Sequence, residues 1–238
     1  MGDDAFGRLI LEEFHEVETD TSLVEVRPGH KTPLSTIIIN KTNGSRTIIN
    51  RQKEKTAVIL DVSALKKISP QIILVDGHEY KASLTALKAF PYATSILDAG
   101  SFRPETKRLA PMVDYLVCSE VFAKAATGLT HIRTERDYEQ VLEQLYLLNR
   151  KHIVVTLGSR GLIYNEDGKV NYLPALQVKS IDTTAAGDIF HGAFTYGIVK
   201  GMSLYKTLRL SSKAAALSVQ QFGSRNSIPK LSHILPIH

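Results

Sequence analysis

The residues best suited to chemistry lie in one short segment, 182–188, which reads D-T-T-A-A-G-D and leads into an apolar helical pattern. The first N–H groups of a helix have no intrahelical acceptors and lie at the positive end of its dipole, so they can bind a phosphate or a developing anion. Asp188 falls in the first turn, where a carboxylate is stabilised and can accept a proton from a substrate hydroxyl. The spacing alone is equally consistent with a capped helix and close-packed small residues.

The elements that must position this segment alternate between short apolar runs and helical patterns from residue 72 onward. Such alternation is typical of βαβ units and a parallel sheet. The runs 72–75 and 153–155 lack polar alternation, as expected for strands buried on both faces. A hairpin is predicted over 162–173, near one edge of the sheet, and two consecutive helices over 188–200 and 203–222. The sequence therefore predicts an α/β fold.

Glycine or acidic residues follow four of the predicted strands directly, at Asp76, Asp98, Glu120 and Gly158. In an open α/β sheet, ligands bind beyond the carboxyl ends of the strands. These residues are therefore candidates for a binding site, although each is also an ordinary turn residue.

The first part of the chain has a different pattern. Apolar residues at helical spacing predict a helix over 6–17, and two β-rich runs follow at 32–39 and 46–49. Asn43-Gly44 lies between these runs and is a strong hairpin signal. We expect a small sheet or flap here.

Composition excludes several classes of protein. The 238 residues carry a formal charge of +5, one Cys and no Trp, so a disulfide scaffold and a cysteine-based zinc module are excluded. No apolar run is long enough to span a membrane, and the acidic opening does not match a signal peptide. Lys and Arg are interleaved with acids, which argues against nucleic acid as a partner. We expect a cytoplasmic protein with a small anionic ligand.

Residues 182–195 resemble, position for position, the C-terminal signature of the ribokinase-like (PfkB) carbohydrate kinases. Residues 155–161 resemble that family's nucleotide-binding strand and turn, and residues 214–219 and 223–229 its adenine-side helix and closing loop. The resemblance implies a three-layer α/β/α fold with a mainly parallel central sheet. It also implies a single domain over 1–238 that includes a small β-lid around 21–50.

The activity implied by the resemblance is transfer of the γ-phosphoryl group of ATP to a carbohydrate hydroxyl. Asp188 would be the catalytic base, and the amides of Ala185, Ala186 and Gly187 would form an anion hole. The implied nucleotide-binding residues are Thr156, Gly158, Gly161, Ser212 and Gly223.

The resemblance also implies cofactors and partners. Asp182, Thr184 and Ser227 match positions that bind a monovalent cation such as K⁺. Mg²⁺ would arrive with ATP, and Glu120 stands near the family's magnesium motif. The partners would be ATP and a sugar, with neither nucleic acid nor membrane, and the lid would pair two copies of the chain.

Two departures from the family pattern bear on these expectations. Ala185 stands where many members have Gly, a substitution that is tolerable if the φ at this position is negative. The family's opening strand, with its sugar-binding Asp and Gly-Gly motif, has no counterpart in 1–18, so we expect a supersecondary unit to be absent from this chain. Two alternatives therefore stay open: a catalytically silent nucleotide-binding or dimerisation module, and a kinase for a nucleoside or vitamin.

Overall fold

A computed structural model describes residues 1–42, 45–51, 57–65 and 67–236. The helices in these ranges are α1 Ala5–Glu16, α2 Val62–Leu65, α3 Tyr80–Ala89, α4 Pro104–Leu109, α5 Glu120–Thr127, α6 Glu135–Tyr146, α7 Ala186–Val199, α8 Leu204–Ser218 and α9 Leu231–Ile234. The strands are β1 Leu34–Ile39, β2 Arg46–Arg51, β3 Ile72–Val75, β4 Thr94–Ala99, β5 Tyr115–Ser119, β6 His152–Thr156, β7 Leu162–Glu166 and β8 Lys169–Leu173. Short 3-10 turns occupy Ala110–Met112 and Gly158–Arg160.

The main sheet, as far as the chain is described, has six strands in the order β3-β4-β5-β6-β7-β8. Strands β3 to β6 pair in parallel, while β7 and β8 run antiparallel to their neighbours. The predicted mainly parallel sheet is confirmed, and so is the hairpin over 162–173, which forms one edge. The parallel strands end on the same side of the sheet. The candidate residues at their ends are Asp76, Asp98, Glu120 and Gly158.

Helices cover both faces of the main sheet because successive strand residues point to opposite sides. Leu97, Leu116 and Ile153 pack on the face that α3 to α6 cover. Ile96, Val117 and Val154, which alternate with them, pack on the face that α7 and α8 cover. These strand residues are 0% exposed, and burying each such side chain contributes roughly 1.5–3 kcal/mol. The result is the predicted three-layer α/β/α fold.

Helices α7 and α8 differ from their predicted bounds. Helix α7 begins at Ala186 rather than at Asp188, and α8 ends at Ser218 rather than at residue 222. The carbonyl of Val219 accepts hydrogen bonds from the amides of Ile181 and Asp182, which ties the end of α8 to the loop before α7. None of the helices in the described part of the chain combines the length and apolar character needed to cross a membrane.

The N-terminal region, residues 1–65, contains α1 and a small antiparallel sheet. The predicted helix over 6–17 and the two predicted β-rich runs are confirmed as α1, β1 and β2, with Ile39 opposite Arg46. The Asn43-Gly44 turn lies outside the described residues. Asp4 caps α1 by accepting from the amide of Gly7, and it also accepts from the hydroxyl and amide of Thr32. These hydrogen bonds, that from the Thr32 hydroxyl foremost, lower the pKa of Asp4 to about 2.

Candidate active site

The site begins at Ala185, the residue before α7. Its φ is 58° and its ψ is 10°, a left-handed conformation, so the condition of a negative φ under which Ala is readily tolerated is not met. A left-handed residue other than Gly costs roughly 1–2 kcal/mol because its Cβ crowds the backbone. The positive φ turns the loop 182–184 sharply into the helix. The family's usual Gly at this position would adopt this conformation without that cost.

The first turn of α7 presents amide groups toward open space. The amide of Ala186 makes a long hydrogen bond of 3.3 Å to the carbonyl of Thr183. Among the hydrogen bonds of the described residues, the amides of Gly187 and Asp188 have no acceptor. Gly187 and Asp188 are both exposed. Unpaired donors at the positive end of a helix therefore stand beside an exposed carboxylate, which is an arrangement suited to an anion and a proton donor.

Asp182 holds the loop that leads into this turn. Its side chain is 2% exposed, and its carboxylate accepts from the amide of Thr184 at 2.8 Å and from that of Gly223 at 3.0 Å. Burial alone raises the pKa of Asp182, but the nearby Thr184 hydroxyl, these two amide hydrogen bonds and the charge of Arg46 together bring it below its ordinary value. The Thr184 hydroxyl is buried and has no hydrogen-bond partner among the described residues. Ser227 donates to the carbonyl of Ser224 within the loop after α8.

A cavity of about 350 Å³ lies beside these amides. Its wall includes three predicted nucleotide-binding residues from the end of β6 and the turn after it, one from α8, and two predicted anion-hole residues: Thr156, Gly158, Gly161, Ser212, Ala186 and Gly187. Apolar side chains from the loop after β8 and from α8 complete it: Leu176, Val178, Ala215 and Val219. The structure therefore brings six predicted site residues to one cavity. Its volume is within the range of small-molecule sites.

Other predicted residues lie around this cavity. Ala185 and Asp188 line a neighbouring cavity of about 550 Å³ on the other side of the α7 start. Gly223 contributes its amide to Asp182. Asp188 thus stands at the boundary between the two cavities, at the N-terminus of α7.

The turn after β6 requires glycine. Gly161 has a φ of 105°, and a Cβ there would lie 2.1 Å from the carbonyl oxygen of Leu173. The backbone after β8 can therefore approach the turn only at a residue without a side chain. Gly158 also has a positive φ, 62°, but a Cβ there would meet open space. The close approach at Gly161 closes one wall of the cavity.

Arg46 belongs to the cavity and was not predicted from the sequence. It is exposed on β2 and donates to the carbonyl and the hydroxyl of Thr183, both at 2.9 Å. It also lines the cavity. The two residues are 137 positions apart, and a basic residue at the start of a β-rich run is ordinary, so the sequence carries no signal of this contact.

Glu120 is engaged with two cations. Its carboxylate pairs with Lys124, one turn along α5, and with Arg160 in the turn after β6. Burial raises its pKa, but the two pairings outweigh this and lower it below its ordinary value. Within the described residues, no group of three or more His, Cys, Asp or Glu side chains is arranged to hold a metal ion.

Comparison with known proteins extends these observations. The family model described as pfkB family carbohydrate kinase matches residues 1–231. The ribokinase of Lactococcus lactis is 28% identical over 244 residues, which cover 98% of this chain and 76% of the relative. The crystal structure of ribokinase from Thermotoga maritima is similar with a TM-score of 0.77 and 26% identity, covering 98% of this chain and 77% of that one.

A second solved structure contains ligands. Ribokinase of Arabidopsis thaliana, complexed with ribose and ATP, is similar with a TM-score of 0.78 and 26% identity. The match covers 98% of this chain and 78% of that one.

Proposed function

Because the chain belongs to the pfkB family of carbohydrate kinases, we propose that it transfers the γ-phosphoryl group of ATP to a hydroxyl of a ribokinase- or fructokinase-type sugar. One observation carries this proposal. Unpaired amides and the carboxylate of Asp188 stand together at the start of α7, at the edge of a cavity that the predicted nucleotide-binding residues line. The proposal includes a cytoplasmic location, where ATP is available as the donor.

In the proposed reaction, the sugar hydroxyl oxygen attacks the γ-phosphorus as its proton passes to Asp188. The new P–O bond forms while the bond to the β-phosphate bridging oxygen breaks, and ADP leaves. The amides of Ala185, Ala186 and Gly187, joined by the neighbouring amide of Asp188, stabilise the charge on the transferred group. Those of Gly187 and Asp188 have no acceptor among the described residues, and that of Ala186 makes only a long hydrogen bond. Catalysis of this kind depends mainly on positioning and charge stabilisation, which fixed backbone donors supply.

The nucleotide would lie along the 350 Å³ cavity. Its base packs against the apolar side chains of α8 and of the loop after β8, near Ser212. Its phosphates extend past Thr156, Gly158 and Gly161 toward the start of α7. Gly223 belongs to the loop that closes this end. In support, the glycine-containing turn after β6 and apolar side chains such as Leu176 and Val178 line the same cavity.

Two metal ions fit this arrangement in different ways. The buried carboxylate of Asp182 and the unpartnered hydroxyl of Thr184 are oxygen ligands that suit K⁺, with Ser227 in the adjoining loop. Mg²⁺ bound to ATP would neutralise phosphate charge, held largely by phosphates and water. Glu120 remains the candidate residue linked to that ion.

The small sheet supports a further element of the proposal, a homodimer formed through the lid. Ile38 and Ile49 are 56% and 55% exposed, and neighbouring isoleucines of the same sheet are also exposed. Pairing of two copies would cover these side chains. Sedimentation analysis of wild type and Ile38→Glu tests this, and a monomeric wild type would contradict it.

The decisive experiment measures ADP release with Mg²⁺, ATP and a panel of sugars, and identifies the phosphorylated product by mass spectrometry. We expect Asp188→Asn to lower kcat by about 10²–10⁴-fold, the usual contribution of a general base, with ATP affinity retained. Asp167→Asn, in the exposed β7–β8 turn, is the matched control and keeps wild-type activity. Phosphorylation that survives Asp188→Asn unchanged would overturn the assignment of the base. A folded protein that binds ATP without phosphorylating any sugar would be the silent module instead, and a nucleoside or vitamin product would change the acceptor.

A further inference from the structure

His191 occupies a buried position directly beneath the start of α7. Its side chain is 7% exposed, and its Nδ1 lies 2.7 Å from the carbonyl oxygen of Gly187 and 3.2 Å from Oδ2 of Asp98. Its Nε2 lies 3.2 Å from the carbonyl oxygen of Val117. One ring therefore contacts the first turn of α7 and the ends of β4 and β5.

Each group that faces this ring accepts hydrogen bonds. A neutral imidazole has one N–H donor and one acceptor nitrogen, so the position of its proton decides which neighbour it holds. Nδ1 faces the carbonyl oxygen of Gly187 and a carboxylate oxygen of Asp98, which are both acceptors, so the proton belongs on Nδ1. Asp98 stands opposite Val117 in the register of β4 and β5.

The charged surroundings of the pair fit this arrangement. Asp188 of α7, Asp76 after β3 and His78 before α3 all act on Asp98. Burial foremost, and then the charges of Asp188 and Asp76, raise the pKa of Asp98 above its ordinary value, against the opposing effects of His191 and His78. A hydrogen bond from Nδ1 of His191 therefore stabilises a carboxylate that its other surroundings disfavour.

The contact between His191 and the carbonyl of Gly187 affects the anion site through the peptide unit that joins Gly187 and Asp188. The carbonyl of Gly187 and the amide of Asp188 belong to the same planar trans peptide, so their directions are fixed relative to one another. A donor that holds the carbonyl from below therefore aims the unpaired amide of Asp188 outward. It also polarises that peptide, which strengthens the amide as a donor.

We propose that His191, donating from Nδ1 to the carbonyl of Gly187 and to Asp98, is a positioning residue that orients the Gly187–Asp188 peptide and thereby the anion site and the Asp188 carboxylate. The proposal rests on the proposed phosphoryl transfer for its kinetic consequence. Its structural part, the state of the ring, is independent of turnover.

The first experiment observes the ring by NMR of protein labelled with ¹⁵N-histidine, with His191→Asn used to assign its signals. We expect Nδ1 of His191 to carry a proton, and its signal to move in Asp98→Asn. A wild-type ring with its proton on Nε2 and none on Nδ1 would overturn the proposal. This readout remains valid if no sugar is phosphorylated, so the failure of one proposal is distinct from the failure of the other.

The second experiment separates positioning from folding. His191→Leu keeps similar bulk but has no donor, and we expect kcat to fall by roughly 10–100-fold, while KM for ATP changes less than about threefold. The fall is smaller than the roughly 10²–10³-fold caused by removing an oxyanion donor outright, because His191 acts on the donor through the peptide. His191→Asn offers one amide donor to the Gly187 carbonyl and should recover part of kcat. His152→Asn, at an exposed ring stacked on Tyr115, is the matched control and stays at wild type. Equal kcat in wild type and a folded His191→Leu would overturn the proposal, as would equal losses in His191→Leu and His191→Asn.

Discussion

The N-terminal region, residues 1–65, and the main-sheet region, residues 72–219, bury their apolar side chains to very different extents. In the main-sheet region the helix-facing residues of the central strands, such as Leu97 of β4, Leu116 of β5 and Ile153 of β6, are fully buried. Of the residues of α1, all within the described chain, Gly7 alone is buried, and Phe6, Leu9 and Phe14 are exposed. The main-sheet region therefore fixes the backbone of the candidate site, and the N-terminal region contacts it from outside.

This difference explains which parts of the candidate site are fixed. The turn after β6, the start of α7 and the Asp98–His191 pair all rest on the main sheet. The N-terminal region reaches the cavity with Arg46, whose partner is a loop residue, Thr183. We expect substitutions in the main-sheet region to change global stability and those in the N-terminal region to act locally.

The largest expected effect is that of Gly161→Ala, which would disrupt the main-sheet region. The new Cβ would overlap the Leu173 carbonyl oxygen, so the backbone after β8 must move. We expect a loss of roughly 4 kcal/mol or more in the free energy of unfolding, measured with urea. Gly158→Ala, where φ is also positive but space is open, should cost only about 1–2 kcal/mol. Equal costs for the two variants would contradict the close approach.

A smaller effect is expected where the two regions meet. Arg46→Met removes both hydrogen bonds to Thr183 and a cation beside the cavity, so kcat/KM for ATP should fall about tenfold, as for the loss of one charged hydrogen bond. The melting temperature should stay within about one degree, because exposed substitutions change stability little. Lys41→Met, an exposed lysine near the same sheet, is the control. A large fall in melting temperature would mean that Arg46 supports the fold instead.

We expect Ala185→Gly to increase the free energy of unfolding slightly, whereas Gly161→Ala and Gly158→Ala decrease it. Glycine accepts the left-handed conformation without strain but increases the entropy of the unfolded chain, so we expect a gain of up to about 1 kcal/mol. Ala186→Gly, inside the first turn, should instead lose up to about 1 kcal/mol. Urea unfolding of both variants measures the difference. A loss with Ala185→Gly would show that the strain is smaller than the geometry implies.

The smallest expected effect lies in the N-terminal region. The pKa of Asp4 is lowered from 3.8 to about 2, so its stabilising contribution is complete above about pH 4 and disappears as the pH falls through about 2. Asp4→Asn should therefore speed amide hydrogen exchange in α1 near neutral pH, with β5 unchanged, and the difference should vanish at low pH. Faster exchange in β5 as well would show that the two regions unfold together.

Much of the main-sheet region could be predicted from the sequence because its signals are local. Apolar runs such as 153–155 identify buried strands, and the D-T-T-A-A-G-D segment identifies the start of α7. Residues that bind through their backbone at a strand end or helix start, such as Gly158 and Gly187, are found by position along the chain. Six of the predicted residues accordingly lie around one cavity.

Contacts between distant residues could not be predicted in this way. The left-handed Ala185 depends on how the loop enters α7, and neither the Arg46–Thr183 contact nor the Asp98–His191 pair has any sequence spacing to reveal it. A histidine inside an apolar helical pattern is an ordinary core residue. Only the three-dimensional placement of its two ring nitrogens gives it a role.

Asp182 couples the motions of two loops, the one before α7 and the one after α8. Its two carboxylate oxygens separately accept from Thr184, before α7, and Gly223, after α8, so one buried side chain joins loops that lie 41 residues apart. Neither loop can swing away without breaking a bond to the same charge. We therefore expect the two loops to open together, at a single rate. The same opening step would then limit the release of a molecule bound at either end of the cavity.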